Sequence, residues 1–189
     1  MNFIEGNLFD DRYRLVKTLG IGGFSEVWLV EDTKVSDRKM ALKIFAPGKG
    51  LDADGVKLFS REYDLVFDLH HSHLLRPAHF DVFERSPYLI LPYCERGSAS
   101  KLIENITEDE AWRFLHDVAS GLAFLHEQDP PVIHQDIKPD NILIDGLGRY
   151  LITSSSRKPK SLKRQTQEKH NHLRQSDAKQ KNCQTTPTL

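Results

Sequence analysis

Cysteine and long apolar runs are what this chain has least of. Its 189 residues include two cysteines, Cys94 and Cys183, far apart and outside any C-x-x-C spacing. That excludes a disulfide framework and a cysteine-based zinc site, and it fits a reducing compartment. No apolar stretch approaches the roughly 20 residues that cross a bilayer, so no membrane segment is expected. The opening Met-Asn-Phe-Ile-Glu-Gly-Asn lacks the basic start and apolar centre of a secretory leader, and a cytoplasmic location is expected. A formal net charge of -1 gives no electrostatic reason to expect nucleic acid as a partner. Aromatic residues are missing altogether beyond Tyr150.

With 39% hydrophobic residues, the chain is long enough for one globular domain with a core. Its first part alternates β-type runs with turns, at Tyr13 to Leu19, Val27 to Glu31 and Met40 to Phe45. Between the first two runs lies Leu19-Gly20-Ile21-Gly22-Gly23-Phe24-Ser25-Glu26-Val27. Glycines there let backbone N–H groups approach phosphate oxygens that side chains would keep away. A dinucleotide-binding turn would run from strand through glycines into a helix; here β-type residues follow, which argues against it. Met40-Ala41-Leu42-Lys43-Ile44 places a lysine in an apolar strand, where it must reach solvent or find a counter-charge.

A helix is expected from Val56 to His70, with Phe59, Tyr63, Val66 and Leu69–His70 on one face and Glu62 beside that stripe. His70, His71, His73 and His79 follow no metal-ligand spacing and are read as structural. Strands at Phe80 to Phe83 and Tyr88 to Leu91 flank the turn Glu84-Arg85-Ser86-Pro87, and Pro92-Tyr93-Cys94-Glu95-Arg96-Gly97 breaks the pattern. A short helix is expected from Ser98 to Asn105. Thr107 and Glu110 form a capping box opening a long helix to about Gln128, with Trp112, Leu115, Val118, Ala119, Leu122 and Leu125 on one face. His116 and His126 on it are read as structural. Asp129-Pro130-Pro131 stops this helix.

Next comes His134-Gln135-Asp136-Ile137-Lys138-Pro139-Asp140-Asn141, followed by Ile142-Leu143-Ile144. A carboxylate, an ammonium two residues on and an amide five residues on can accept a hydroxyl proton, neutralise a phosphoryl group and bind a hard cation. This resembles the catalytic loop of eukaryotic-type (Hanks-type) protein kinases, H-R-D-x-x-x-x-N. The glycine turn resembles the kinase Gly-rich loop, with Ser25 in place of its third glycine, and Met40–Ile44 resembles the V-A-I-K strand. Lys138 makes the loop similar to that of serine/threonine kinases.

The resemblance implies an α+β, protein-kinase-like bilobal fold: a complete β-rich N-lobe with its regulatory helix, and a partial helical C-lobe. It divides the chain into a lead-in (1–11), the N-lobe (12–91), a hinge (92–97), a partial C-lobe (98–153) and a tail (154–189). It implies ATP-dependent phosphoryl transfer to protein Ser/Thr, with ATP and Mg²⁺ as cofactors and ATP and a protein substrate as partners. ATP would be held by Leu19, Gly20, Gly22, Gly23, Ser25, Val27, Ala41, Lys43, Leu91, Pro92, Cys94 and Leu143. Glu62 would pair with Lys43. Asp136 and Lys138 would be the catalytic residues and Asn141 a Mg²⁺ ligand. Gln135 stands where the family has the arginine that grips an activation-loop phosphate, so activation of that kind is not expected.

The resemblance stops abruptly. Asp145-Gly146-Leu147-Gly148 reads as a hairpin turn, with Asp145 a turn former, leading into a strand from Arg149 to Thr153. The family then has Asp-Phe-Gly, whose Asp chelates Mg²⁺; here Ser154-Ser155-Ser156 follow. Beyond them the basic residues Arg157, Lys158, Lys160, Lys163, Arg164, Lys169, Arg174, Lys179 and Lys181 face only Glu168 and Asp177, and apolar residues are too few to form a core, so a disordered tail is expected. A reading-frame change, a non-catalytic nucleotide-binding or interaction module, and a basic tail for nucleic acid or acidic partners each account for this change. Little or no kinase activity is expected of the chain itself, and the face of the long helix is expected to lack cover.

Overall fold

The computed structural model describes residues 3–35 and 38–153, without the side chains of residues 61, 62 and 64–66. Six strands form one antiparallel sheet in the order β1-β2-β3-β4-β6-β5: β1 (Leu8–Phe9), β2 (Tyr13–Ile21), β3 (Ser25–Asp32), β4 (Arg38–Phe45), β5 (His79–Phe83) and β6 (Ser86–Pro92). Helix α1 (Ala53–Phe67) lies in the crossover from β4 to β5. A 3₁₀ turn (Ala99–Leu102) and helix α2 (Glu108–His126) follow. A second 3₁₀ turn (Pro139–Asn141) then leads into a hairpin of β7 (Ile142–Ile144) and β8 (Tyr150–Ile152).

Residue alternation along β4 explains how the sheet buries both faces. Met40, Leu42 and Ile44 join Phe9, Tyr13, Trp28 and Tyr88 in one core cluster. Ala41 and Phe45 join Phe59, Leu89, Leu91, Cys94 and Leu151 in another, on the opposite face. Rings carry much of this packing. Phe9 meets Tyr88 edge-on at 5.0 Å between centroids, and Phe45 meets Phe59 of α1 at 4.6 Å.

Several elements differ from the sequence reading. Leu8–Phe9, inside the stretch read as a lead-in, pairs with Tyr13–Arg14, and Phe9 is buried. Helix α1 begins three residues before Val56, because Asp52 accepts the Gly55 N–H at 2.8 Å and caps it. It ends at Phe67, short of His70. The expected helix from Ser98 to Asn105 contracts to a single 3₁₀ turn. The β5–β6 turn is tighter than expected: Glu84 and Arg85 both take positive φ, as a two-residue hairpin requires.

The Thr107–Glu110 capping box forms in full, with both reciprocal bonds present. The face assignment of α2 needs correction. Val118, Gly121 and Leu125 are buried, with Phe114 and Leu122 packed on the same cluster, whereas Trp112 is 66% and Leu115 56% exposed. Helix α2 carries apolar residues on two faces, and only the one toward β7 and β8 is covered among the described residues.

Candidate functional site

The glycine turn joins β2 to β3 with Gly22, Gly23 and Phe24 at its tip. The Gly22 N–H donates to the Ser25 carbonyl at 2.8 Å and closes the turn; the Ser25 side chain is buried. At Gly20 and Gly23 a Cβ would meet nothing within 4 Å, so the backbone borders open space where another molecule can approach.

Lys43 pairs in register with Val27 on β3 and with Leu89 on β6. It is only 5% exposed, on the sheet face that also carries Ala41 and Phe45. Its Nζ lies 5.2 Å from the Phe45 ring centroid. Burial draws its pKa down to about 8. The backbone of Glu62 lies in α1, while its side chain, expected to pair with Lys43, lies outside the described residues.

Of the residues expected to line a nucleotide, Val27, Ala41, Leu91, Cys94 and Leu143 come together in one apolar cluster below the glycine turn. Leu19 stays exposed, and Pro92 ends β6 opposite Met40. The Cys94 carbonyl accepts the Gly97 N–H, turning the chain. Burial first, and the negative Asp145 second, push the Cys94 thiol up to about 11, so it is an unreactive thiol at neutral pH.

The segment from His134 to Asn141 is held by its own hydrogen bonds. His134 accepts the Asp136 N–H at Nδ1 and donates from Nε2 to the Thr153 carbonyl, which fixes its tautomer. The Asn141 amide nitrogen donates to the Asp136 carbonyl at 2.7 Å and to the Asp136 carboxylate at 3.0 Å. With that nitrogen so engaged, Asn141 Oδ1 is the oxygen suited to a hard cation. Lys138 is exposed, and Gln135 takes a positive φ of 64°. Asp145 is a turn former: it accepts the Leu147 and Arg149 N–H groups and pairs with the Arg149 guanidinium at 2.8 Å. Burial pushes its carboxyl up, but the bonds from Arg149 outweigh that and hold it below the ordinary range.

Thr153 is the residue the sequence reading missed. Its N–H and hydroxyl both donate to the Asn141 carbonyl, at 2.9 and 3.1 Å, while its own carbonyl accepts from His134. It ties both ends of the loop to the strand that follows. A lone threonine after an apolar run carries no spacing signal that would have revealed this. Ser154 to Ser156 lie outside the described residues.

Comparison with known proteins agrees with this arrangement. The family model for the protein kinase domain matches residues 13–154. The chain is 30% identical over 153 residues to the serine/threonine-protein kinase PrkC of Bacillus subtilis, covering 78% of this chain and 23% of that protein. It is 28% identical over 151 residues to the probable serine/threonine-protein kinase PknB of Lactococcus lactis (78% and 24%), and 36% identical over 138 residues to an Aurora kinase of Yarrowia lipolytica (71% and 36%). The chain thus spans roughly a quarter to a third of these relatives. The crystal structure of the PknI kinase domain of Mycobacterium tuberculosis superposes with a TM-score of 0.66 at 23% identity, over 84% of this chain and 66% of that one, which shows the shared fold. From the glycine turn through Lys43 to the Asp136–Asn141 loop, the chain belongs to the protein kinase family, on its serine/threonine branch.

Proposed function

We propose that this chain binds ATP between the glycine turn and the Leu91–Cys94 segment, and that transfer of the γ-phosphoryl group to a protein serine or threonine is weak or absent in it. The observation that carries this reading is that one chain holds both a buried lysine in its sheet, Lys43, and a carboxylate oriented by an amide in the following loop, Asp136 with Asn141. Leu19, Gly20, Gly22, Gly23, Ser25 and Val27 cover the nucleotide, Ala41 and Leu143 flank its base, and Leu91, Pro92 and Cys94 border its edge. Lys43 holds the phosphates and Glu62 holds Lys43. Asp136 accepts the proton of the attacking hydroxyl, and Lys138 neutralises charge on the moving group.

Protein kinases generally use Mg²⁺, and the residues here fit it only in part. Asn141 Oδ1 is a suitable oxygen. The other protein ligand expected by family resemblance is a carboxylate, and the sequence has serine at 154–156. A neutral hydroxyl does not supply that charge. A cytoplasmic location, with no nucleic acid as partner, accompanies this reading; no helix among the described residues is long and apolar enough to cross a membrane.

A second reading, an interaction module without chemistry, is favoured by the exposed Trp112 and Leu115 on α2. Thermal unfolding tests ATP binding. ATP raises the melting temperature of the wild-type chain and leaves Lys43→Met, which keeps the apolar volume, unshifted. Equal shifts in both proteins, or none in the wild type, would overturn the proposal.

A further inference from the structure

His73, His116 and Asp117 are separated in sequence, and only the fold brings them together. His73 lies in the loop after α1; His116 and Asp117 are consecutive residues of α2. Their ligand atoms all lie within 4.8 Å of one another. His73 Nδ1 is 3.4 Å from Asp117 Oδ2, and His116 Nδ1 is 3.1 Å from Asp117 Oδ1. A tetrahedral Zn²⁺ with bonds of about 2.0–2.1 Å sets its ligand atoms about 3.3–3.4 Å apart, which the His73–Asp117 Oδ2 spacing matches, while His116 approaches the other carboxylate oxygen.

We infer that these three side chains form a binding site for Zn²⁺ or a similar first-row divalent cation, distinct from the Asp136–Asn141 loop and independent of phosphoryl transfer. Two imidazole nitrogens and one carboxylate are a donor set suited to such an ion and poorly suited to Mg²⁺ or Ca²⁺, which take oxygen ligands. Three protein ligands leave the fourth position to water.

The surroundings support the donors. Asp117 Oδ2 also accepts the Tyr150 N–H at 3.1 Å, which orients the carboxylate from behind. The backbone of His73 is fixed because its carbonyl accepts the Ile152 N–H. Its Nδ1 also faces the Tyr150 carbonyl at 3.3 Å; the ion takes the place of the hydrogen on Nδ1, and the imidazole keeps its proton on Nε2. His116 is 77% exposed, so its ring turns at little cost to close the remaining edge and leaves a path from solvent. His71 is no ligand: its Nδ1 accepts the His73 N–H, and its Nε2 faces Ser120.

The consequence is a clip. Bound metal would join α2, the loop after α1 and, through Tyr150 and Ile152, strand β8. This departs from the sequence reading, which took His73 and His116 as structural because neither lies at a metal-ligand spacing along the chain.

The test is titration of the full chain, freed of metal by chelator, with ZnCl₂ by calorimetry and with Co²⁺ by visible absorption. The expected result is one equivalent bound with an intense tetrahedral Co²⁺ spectrum, and at least about a tenfold loss of affinity in His116→Ala and in Asp117→Asn. Asn can still accept the Tyr150 N–H, and His116 is on the surface, so both variants should keep the wild-type circular dichroism. His79→Ala, a partly exposed histidine elsewhere, should bind as the wild type does. Equal affinity in wild type and His116→Ala, a weak octahedral Co²⁺ spectrum, or no binding would each overturn the proposal.

Discussion

Among the described residues, the six-stranded sheet is covered on both faces, whereas α2 is covered on one. In the sheet, consecutive residues of β4 enter two separate apolar clusters, and α1 packs its aromatic rings over one of them. In the second region Ile142, Ile144, Tyr150 and Ile152 bury one side of α2, while Trp112 and Leu115 on the other side remain open among the described residues. The difference separates two requirements of the site. On the proposed function, holding a nucleotide needs mostly the sheet, with Lys43 built into its core. Transferring a phosphoryl group also needs the loop from His134 to Asn141 and whatever follows Thr153.

Substitutions can probe that contrast, beginning with the largest effect. Ile44→Ala, at a fully buried position of β4, should cost about 2–5 kcal/mol in denaturant unfolding and abolish any ATP-induced stabilisation. If the sheet loses little, it is not the closed unit described. Asn141→Ala removes both bonds to Asp136 and should cost about 1.5–3 kcal/mol, since one acceptor is charged. A smaller loss of about 1 kcal/mol is expected for Thr107→Ala, which removes the cap of α2.

Trp112→Gln with Leu115→Gln should change stability by no more than about 0.5 kcal/mol per site and reduce self-association in sedimentation. A loss of several kcal/mol there would mean that this face is covered after all.

Lys43 supplies a pH test. Its pKa is drawn to about 8 by burial, so the amine is protonated and unreactive below that pH and nucleophilic above it. Labelling of Lys43 by an amine-directed reagent should rise through about pH 8. ATP should suppress it.

The parts of the candidate site that the sequence singled out are those whose proposed chemistry depends on local spacing. The glycine turn, Lys43 two residues beyond Ala41 in an apolar strand, and Asp136 to Asn141 each sit within a few residues of one another. What escaped depended on distant partners. Thr153 acts through Asn141 and His134, and Asp117 meets His73 only because α2 packs beside the loop after α1. Leu8–Phe9 escaped because a two-residue strand among polar and turn-forming residues has no readable period. The faces of α2 were misassigned because Trp112 and Leu115 continue an apolar pattern that the described residues leave uncovered. A helical period shows that a face is apolar; it does not show what covers it.

The proposed function makes nucleotide binding and phosphoryl transfer separable in this chain. It is tested most directly by incubating the full chain with γ-labelled ATP, Mg²⁺ and a mixed serine/threonine peptide substrate beside Asp136→Ala. The expected result is that ATP stabilises both proteins against heat and that transfer by the wild type does not exceed that of the variant. Robust transfer by the wild type, abolished in Asp136→Ala, would contradict it.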